Sequence, residues 1–398
     1  EAALTGATLD ERVVLAHRRT ALQLLKARHV SATELVDRTF KPLLTKSRAL
    51  PSNADNTRTT DQAFAEELSE RASGGIRYRP GIKTGVWYVY DSGRWVMSDH
   101  GGVIPLVTAM AKDRYKKAAE SKNTDERIRL SKEATHLESL RVAENVVRMA
   151  STLPELRAQG DEFDQDPYLL NVQNGTIDLR TGDLRPHRRE DLLTKMIPVD
   201  YDAEAPCPVF DQFLGTVFAN DADVIDYVQR AVGKTFTADA VEQAMFIAIG
   251  TGANGKTTFL NAIMAAMGPY AAKMAATTLL QQKNGGDSAR NDIATLEGVR
   301  LAACAESGLG RKLNEEWVKE LTGNEKIKAK RLYLDLYEVA PTWNIWLATN
   351  HKPVVRGTDL SIWRRLKVIP FNVTIPLESQ DRTLPDKLKT ELPGILAW

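Results

Sequence analysis

A glycine-rich loop between an apolar run and a helical pattern constrains this chain more than any other feature. Residues 244–249 read AMFIAI, a continuous apolar run typical of a strand buried on both faces of a parallel sheet. The run leads directly into GTGANGKTT at residues 250–258 and then into FLNAIMAAM at residues 259–267, which ends at Gly268 and Pro269. The order strand, loop, helix predicts an α/β fold around a parallel central sheet.

The loop matches G-x-x-x-x-G-K-T, a pattern in which successive backbone N–H groups surround phosphate groups. Glycines are needed there because a Cβ would clash or exclude the backbone angles. Lys256 can reach the β- and γ-phosphates, and the hydroxyl of Thr257 can coordinate Mg²⁺. A purely structural glycine turn is the alternative, but the flanking strand and helix favour a site for ATP and Mg²⁺. The predicted ATP-binding residues are Gly250, Thr251, Gly252, Ala253, Asn254, Gly255, Lys256, Thr257 and Thr258.

Two later apolar runs end in polar residues. VRLAACA at residues 299–305 precedes Glu306, and WNIWLA at residues 343–348 precedes Thr349 and Asn350. Since polar residues at the carboxyl ends of parallel strands lie beside such a loop, we predict that Glu306 occupies a neighbouring strand. There it would activate water and contribute to the metal site. Asn350 is predicted to be a polar sensor between loop and acid. The alternatives are a surface carboxylate and an ordinary turn.

Two basic segments follow the acid. IWRRL at residues 362–366 precedes a predicted strand, KVIPF, and an arginine there can reach the γ-phosphate of a neighbouring subunit. A pair of surface arginines is the alternative. Earlier, NEEWVKELTG at residues 314–323 predicts a short helix capped by Asn314, and the run after it pairs with LYEV at residues 336–339 as a hairpin. This hairpin can contact a phosphate backbone or be merely solvated. Its basic residues are Lys326, Lys328, Lys330 and Arg331.

Composition excludes several classes of protein. The chain has 398 residues with a net charge of +1, so any polyanion site must be a local patch. The apolar run before the loop spans six residues, whereas a transmembrane helix needs about 20, so we expect no membrane protein. The two cysteines, Cys207 and Cys304, lie far apart in unlike contexts and fit a reducing cytosol. With no targeting leader visible, we expect the protein in the cytoplasm, that of a host cell if it is phage-encoded.

Upstream of the loop the chain reads as smaller segments. We predict two helices over 10–50, a linker over 51–60, a helix over 61–72, an aromatic hairpin around Asp91-Ser92-Gly93, and helices over 103–156. Asn174-Gly175 predicts another hairpin, followed by helices near 210–217 and 224–232. Asp164-Gln165-Asp166 has the D-x-D spacing of paired catalytic carboxylates but lies in an acidic, loop-like stretch, and reads as a solvated linker. The predicted domains are an N-terminal helical segment (1–55), an α+β accessory domain (56–205), a helical connector (206–240) and an ATPase domain (241–398).

The ordered motifs resemble those of the phage and plasmid primase–helicase family, in which a poxvirus-type domain precedes an AAA+ ATPase of helicase superfamily three. In the ATPase, the resemblance is carried by GTGANGKTT, ACAES, NEEWVKELTGNEKIKAKR, WLATNHKP and TDLSIWRRLKVIPF. Upstream it is carried by TDQAFAEELSERASGGIRY, GVWYVYDSGRW and NVQNGTIDLRTGDLRPH. It spans about residues 61–371, and residues 1–55 carry no part of it.

The resemblance implies roles at the nucleotide site. Lys256 and Thr257 match the nucleotide and Mg²⁺ residues, Glu306 matches the Walker B acid, and Asn350 matches the polar sensor. Gly308 stands where many relatives have a second acid, so Glu306 is the sole obvious acid and the metal geometry is less defined.

The resemblance also implies an assembly. Arg365 matches the arginine finger better than Arg364, and Lys319 with Arg365 would lie between subunits. Residues 319–331 match the motif that projects a DNA-contacting hairpin into the pore of a ring. The implied protein is a hexameric ATP-dependent DNA helicase that moves 3′ to 5′ on single-stranded or forked DNA, with a primase or polymerase as a possible partner. The alternatives are a nucleotide-switched DNA-loading protein and the helicase part of a bifunctional primase–helicase.

Overall fold

The computed structural model of the protein describes residues 60–81, 85–158, 162–281, 291–306, 308, 312–330 and 336–398. The chain divides into two compact units, Glu1–Ala63 and Phe64–Trp398. The helices predicted over 10–50, the N-terminal segment 1–55 and nearly all of the predicted linker lie outside the described residues. Within the described ranges, no helix is both long enough and apolar enough to cross a membrane.

We number helices and strands separately in chain order. The helices are α1 (Asp61–Ala72), α2 (His100–Glu120), α3 (Thr124–Leu137), α4 (Leu140–Ala150), α5 (Pro208–Val217), α6 (Ala222–Phe236), α7 (Lys256–Met267), α8 (Glu315–Leu321), α9 (Leu360–Trp363), α10 (Leu384–Thr390) and α11 (Leu392–Ala397). The strands are β1 (Ile76–Arg79), β2 (Val86–Asp91), β3 (Arg94–Ser98), β4 (Leu169–Val172), β5 (Gly175–Asp178), β6 (Asp183–Arg185), β7 (Met245–Ile249), β8 (Ala271–Lys273), β9 (Leu301–Glu306), β10 (Ile327–Lys330), β11 (Leu336–Val339), β12 (Asn344–Thr349) and β13 (Leu366–Pro370).

Two small antiparallel sheets precede the loop motif, and both contain a predicted hairpin. The aromatic hairpin pairs β2 with β3 across a turn at Ser92 and Gly93, whose φ angles are +47° and +87°. Strand β1 adds a third strand that the sequence did not indicate. The second predicted hairpin pairs β4 with β5, with Val172 opposite Gly175, and β6 extends it. Local turn residues therefore predicted both hairpins correctly.

The predicted helical stretch forms α2, α3 and α4, and most of its charges face outward. Lys116 and Lys117 of α2 are exposed, as the prediction of a solvated face requires. Arg114 is an exception, because only 8% of it is exposed. Its guanidinium donates to the carboxylate of Glu133 at 3.0 Å and also to that of Glu67. These two carboxylates therefore offset the free-energy cost of burying the charged guanidinium.

Asp164 differs from the prediction of a solvated linker. The residue is half-buried, and its carboxylate accepts hydrogen bonds from the backbone N–H of Thr194 at 2.8 Å and from the hydroxyl of the same residue. Burial raises the pKa of Asp164. Asp166, by contrast, pairs with Arg180 at 2.8 Å at a partly exposed position. The interpretation as a solvated linker is wrong for Asp164, because its side chain is hydrogen-bonded to the segment that contains Thr194.

The predicted parallel sheet is confirmed. Its strands lie in the order β13-β7-β12-β9-β8, and every pair runs parallel. The order corrects one detail, since β9, which carries Glu306, is not adjacent to β7: β12 lies between them. Chain order does not fix strand order in such sheets, because crossover connections allow later strands to insert between earlier ones.

The two faces of this sheet pack against different hydrophobic cores. Phe246 of β7 and Trp346 of β12 belong to one cluster, together with residues of α5, α6 and α7. Their neighbours Met245 and Ile345 belong to the other, together with residues of α8 and the β10–β11 hairpin. Successive side chains of a strand point to opposite faces, so a strand covered on both sides must be apolar throughout.

Part of the predicted accessory domain shares a core with the predicted ATPase domain. Leu170 of β4 and Ile177 of β5 belong to the same cluster as Phe210 of α5 and Phe259 of α7. The predicted domain boundaries at residues 205 and 240 stay predictions.

Candidate functional site

The loop motif adopts a conformation that only glycine accommodates easily. Gly252 and Gly255 have φ angles of +117° and +79°, a region that L-amino acids with a side chain rarely occupy. A Cβ on Gly255 would lie 2.6 Å from Cγ1 of Val217 in α5. Lys256, the next residue, begins α7. The loop therefore connects the carboxyl end of β7 to a helix N-terminus, as the motif predicts.

The amine of Lys256 lies inside this loop. Its Nζ donates to the carbonyl of Gly250 and to Oδ1 of Asn254, each at 2.7 Å. The side chain is only 6% exposed, and burial lowers the pKa of the amine. Both acceptors are neutral and do not balance the positive charge of the amine. An anion such as a phosphate group would balance it. Thr257 is exposed at the first turn of α7, and its predicted contact with Mg²⁺ stays a prediction.

The polar strand ends line up beside the loop. In the sheet register Ile249 of β7 lies opposite Thr349 of β12, which in turn lies opposite Glu306 of β9. Asn350 follows Thr349 and lies between the loop strand and the acid strand, as predicted. It lines a cleft of about 540 Å³ together with Gly250 and Thr251 of the loop. The backbone positions thus bring loop, polar residue and acid to one edge, and their catalytic roles stay predictions.

The arginine pair lies at the opposite end of β13 from the phosphate loop. Arg365 is only 7% exposed, and its guanidinium donates to Oγ1 of Thr322 at 3.1 Å, the carbonyl of Ser361 at 2.6 Å and Oε1 of Gln243 at 2.6 Å. Arg364 is exposed and has one hydrogen bond, also to Gln243, at 2.9 Å. Because three acceptors of its own chain occupy Arg365, Arg364 is the better placed of the two to reach a neighbouring subunit. The sequence favoured Arg365, and which of the two acts between subunits stays a prediction.

Lys319 of α8 is likewise engaged within its own chain. Its Nζ forms an ion pair with Oδ2 of Asp359 at 2.7 Å, just before α9. This hydrogen bond lowers the pKa of the Asp359 carboxyl. The predicted position of Lys319 between subunits stays a prediction.

The predicted basic hairpin is present as β10 and β11, with Ile327 opposite Val339. Ile327 and Ala329 are buried, whereas Lys326 and Lys328 are exposed, so the lysines share the outer face of β10. Lys330 is half-buried beside the end of the described strand. Arg331 and the rest of the tip lie outside the described residues.

A second groove beside the loop carries no motif and was missed. It has a volume of about 410 Å³ and lies between α5, the phosphate loop and the segment 375–387. Ile375 ties that segment to the loop, because its N–H donates to the carbonyl of Ala253 at 2.8 Å. The groove combines segments that are distant in the chain, so no local pattern could have indicated it.

Comparisons with known proteins support the resemblance to primase–helicases. Residues 61–219 match the family described as "D5 N terminal like", and residues 248–365 match a family of unknown function. "Putative helicase L207/L206" of Acanthamoeba polyphaga mimivirus is 24% identical over 310 residues, which cover 73% of this chain and 32% of that protein. "Putative primase C962R" of African swine fever virus is 22% identical over 228 residues, covering 56% and 24%. The D5-type match and the viral relatives named helicase or primase together support a D5-type primase–helicase family for this chain.

Other relatives of this D5-type chain are also viral. "Putative helicase 022R" of Frog virus 3 is 26% identical over 314 residues, which cover 62% of this chain and 32% of that protein. The D5-type chain thus spans about a third of the length of the relatives named helicase that it matches here.

Solved structures confirm the fold of the D5-type chain. The apo structure of the NrS-1 C-terminal region, residues 305–718, superposes with a TM-score of 0.52 at 12% identity, covering 86% of this chain and 69% of that one. A second apo form gives a TM-score of 0.51 at 13% identity. The α/β class predicted from the sequence is therefore confirmed.

Proposed function

We propose that the protein is an ATP-dependent DNA helicase, the motor part of a viral or phage-type replication protein. The observation that carries the proposal is the edge of the parallel sheet where the loop, Asn350 and Glu306 end three adjacent strands. This is the arrangement expected of a site that holds a triphosphate and activates water against it. Relatives named helicase or primase support the same class of activity.

Each residue has a proposed role in hydrolysis. The amine of Lys256, with only neutral acceptors at 2.7 Å, would bind the β- and γ-phosphates. Thr257 and Glu306 would hold Mg²⁺, which neutralises charge on the phosphates. Glu306 would also orient the attacking water, and Asn350 would hydrogen-bond that water or the γ-phosphate.

The proposed assembly is a ring, most simply a hexamer, with ATP between subunits. We assign the finger that reaches the neighbouring γ-phosphate to Arg364, because it is exposed and Arg365 is not. Such an arginine accelerates hydrolysis by about 10³- to 10⁵-fold in GTPases. The exposed face of β10, with Lys326 and Lys328, would contact the phosphate backbone of a strand in the pore.

A strand-displacement assay on forked duplex DNA tests the proposal. With ATP and Mg²⁺ the protein should release the labelled strand, and Glu306→Gln should bind ATP yet release nothing, because the amide cannot activate water. Duplexes with a single 3′ tail or a single 5′ tail would show the direction of movement. ATP-dependent DNA binding without strand release would contradict the helicase proposal and indicate a loading protein instead.

A further inference from the structure

We infer that strand β13 mechanically connects the phosphate loop to the basic hairpin, with Asn254 and Arg365 as positioning residues beside its two ends. The inference rests on the proposed function, since it concerns how nucleotide and DNA act on each other within one subunit. It also gives Arg365 a role other than that of a finger.

At the loop end, the connection runs through the carboxamide of Asn254, which is 3% exposed. Its Oδ1 accepts the amine of Lys256 at 2.7 Å, and its Nδ2 donates to the carbonyl of Phe371 at 3.1 Å. Phe371 directly follows β13. A Cβ on Gly250 would lie 2.1 Å from Nδ2, so this glycine makes room for the amide. The lysine that would bind phosphate is therefore fixed to the end of β13.

At the other end, Arg365 directly precedes β13. Its Nε donates to Oγ1 of Thr322, the C-cap residue that follows α8. The Thr322 hydroxyl in turn donates to the carbonyl of Val318 at 2.7 Å, one turn back in the helix. The other guanidinium nitrogens bind the carbonyl of Ser361 and the amide oxygen of Gln243. The guanidinium thus joins the end of α8 to the start of β13.

Helix α8 carries the connection to the hairpin. Oε1 of Glu315, in its first turn, accepts the backbone N–H groups of Arg356 and Gly357 at 2.8 and 2.9 Å. Later in the helix, Lys319 pairs with Asp359. Strand β10 begins five positions after Thr322, and its buried residues pack in the same core as α8. The base of the hairpin is therefore connected to α8, and through α8 to Arg365.

Strand β13 is suited to transmit such a movement. It is an edge strand of the described sheet, with β7 as its one neighbour. Both flanking residues bind β7 directly, since the N–H of Met245 donates to the carbonyl of Arg365 at 2.8 Å and the N–H of Phe371 donates to that of Ile249 at 2.7 Å. Because an edge strand pairs on one side only, a shift of β13 along its length would change its sheet hydrogen bonds to β7 alone. A continuous path of contacts does not by itself show coupling, so the coupling free energy between the two ligand sites has to be measured.

The test measures how the two ligands affect each other in binding, without turnover. Fluorescence anisotropy gives the Kd for a labelled single-stranded oligonucleotide with and without a saturating nonhydrolysable ATP analogue and Mg²⁺. In the unaltered protein we expect the two values to differ by about 5- to 150-fold, the usual range of coupling between sites. Arg365→Lys keeps the charge but loses the planar fork, so the ratio should fall below about 2 while each ligand alone still binds.

Asn254→Ala is a second variant, which removes the side-chain hydrogen bonds at the loop end of β13. At a saturating concentration of the analogue, it should reduce the ratio as Arg365→Lys does. Two controls match these changes in chemistry. Arg114→Lys alters an arginine that is 8% exposed and bound to acceptors on three residues of the helical layer. Asn171→Ala removes a buried amide that donates to the carbonyls of Gly93 and Lys195. Both controls should keep the ratio of the unaltered protein.

The possible results separate the two proposals. A ratio near one in the unaltered protein, or an unchanged ratio in Arg365→Lys and Asn254→Ala, would overturn the inference while leaving the helicase proposal intact. Collapse of basal ATP hydrolysis in Arg365→Lys with the ratio unchanged would also overturn it and restore the finger role. A protein that binds neither the analogue nor DNA would remove the proposed function, and this inference with it.

Discussion

Gly255 determines the local shape of the phosphate loop. Its φ of +79° turns the chain into α7, and Val217 of α5 leaves no space for a Cβ there. The same backbone turn presents the first N–H groups of the helix to the phosphate position. One residue without a side chain therefore connects backbone conformation, packing against α5 and the proposed binding of anions.

Replacing Gly255 by alanine should destabilise the protein by about 1 to 3 kcal/mol, because it combines an unfavourable φ with a steric clash. Urea unfolding would measure this change. Gly233→Ala is the matched control: this glycine lies inside α6 with no atom near the position of a Cβ. It should stabilise the protein by about 0.5 to 1 kcal/mol. Equal effects at the two positions would contradict the account of the loop.

Single-residue predictions from the sequence succeeded where a motif fixes the backbone and failed where tertiary contacts decide. The motif placed Lys256 at the start of a helix, as the structure has it. It gave no reason to expect that Asn254 binds the carbonyl of Phe371, which is distant in the chain. Likewise, two adjacent arginines look alike in sequence, and only packing shows that Arg365 is buried and Arg364 exposed.

The β10–β11 hairpin shows how an alternating sequence pattern gives one element a buried face and an exposed face. Apolar residues of β10 enter the core that also contains α8, and the lysines face outward. The period of two along a strand predicts this from sequence, as do the turn residues of the upstream hairpins. The order of the parallel strands was not predictable in this way, since it depends on crossovers between distant segments.

Combined Lys326→Ala and Lys328→Ala should weaken binding of single-stranded DNA and reduce the slope of log K against log salt by about 0.7 per lysine that contacts a phosphate. A salt series of fluorescence anisotropy titrations measures both. ATP hydrolysis without DNA should be unchanged, because the hairpin is not part of the phosphate site. Lys116→Ala with Lys117→Ala, on the exposed face of α2, is the control and should leave the slope as it was. An unchanged slope in the hairpin variant would remove these lysines from the DNA interface.

The described part of the chain combines a five-stranded parallel sheet with smaller antiparallel sheets and helices, and its fold is that of the NrS-1 C-terminal region. The proposed ring would place the exposed Arg364 of one subunit near the phosphates of the next. Sequence motifs indicated that a residue of this pair acts between subunits. The proposal that this residue is Arg364 rests on the burial of Arg365 and the exposure of Arg364.

Mixing variant and unaltered subunits tests this arrangement. If Arg364 acts in trans, subunits with Arg364→Ala should lower the ATPase activity of a mixture well below the mean of the two pure proteins. Arg230→Ala, which removes an exposed arginine of α6, should give the mean value and serves as the control. A strictly proportional loss with Arg364→Ala would exclude a role in the neighbouring site.

Calorimetric titration with a nonhydrolysable ATP analogue and Mg²⁺ tests the central claim most directly. The account predicts one site per chain, with affinity reduced roughly 10- to 100-fold in Lys256→Ala, because a charge-assisted hydrogen bond to phosphate is lost. Affinity should be largely retained in Glu306→Gln. Absence of binding to the unaltered chain, or equal affinity in Lys256→Ala, would contradict the claim that the loop after β7 binds a triphosphate.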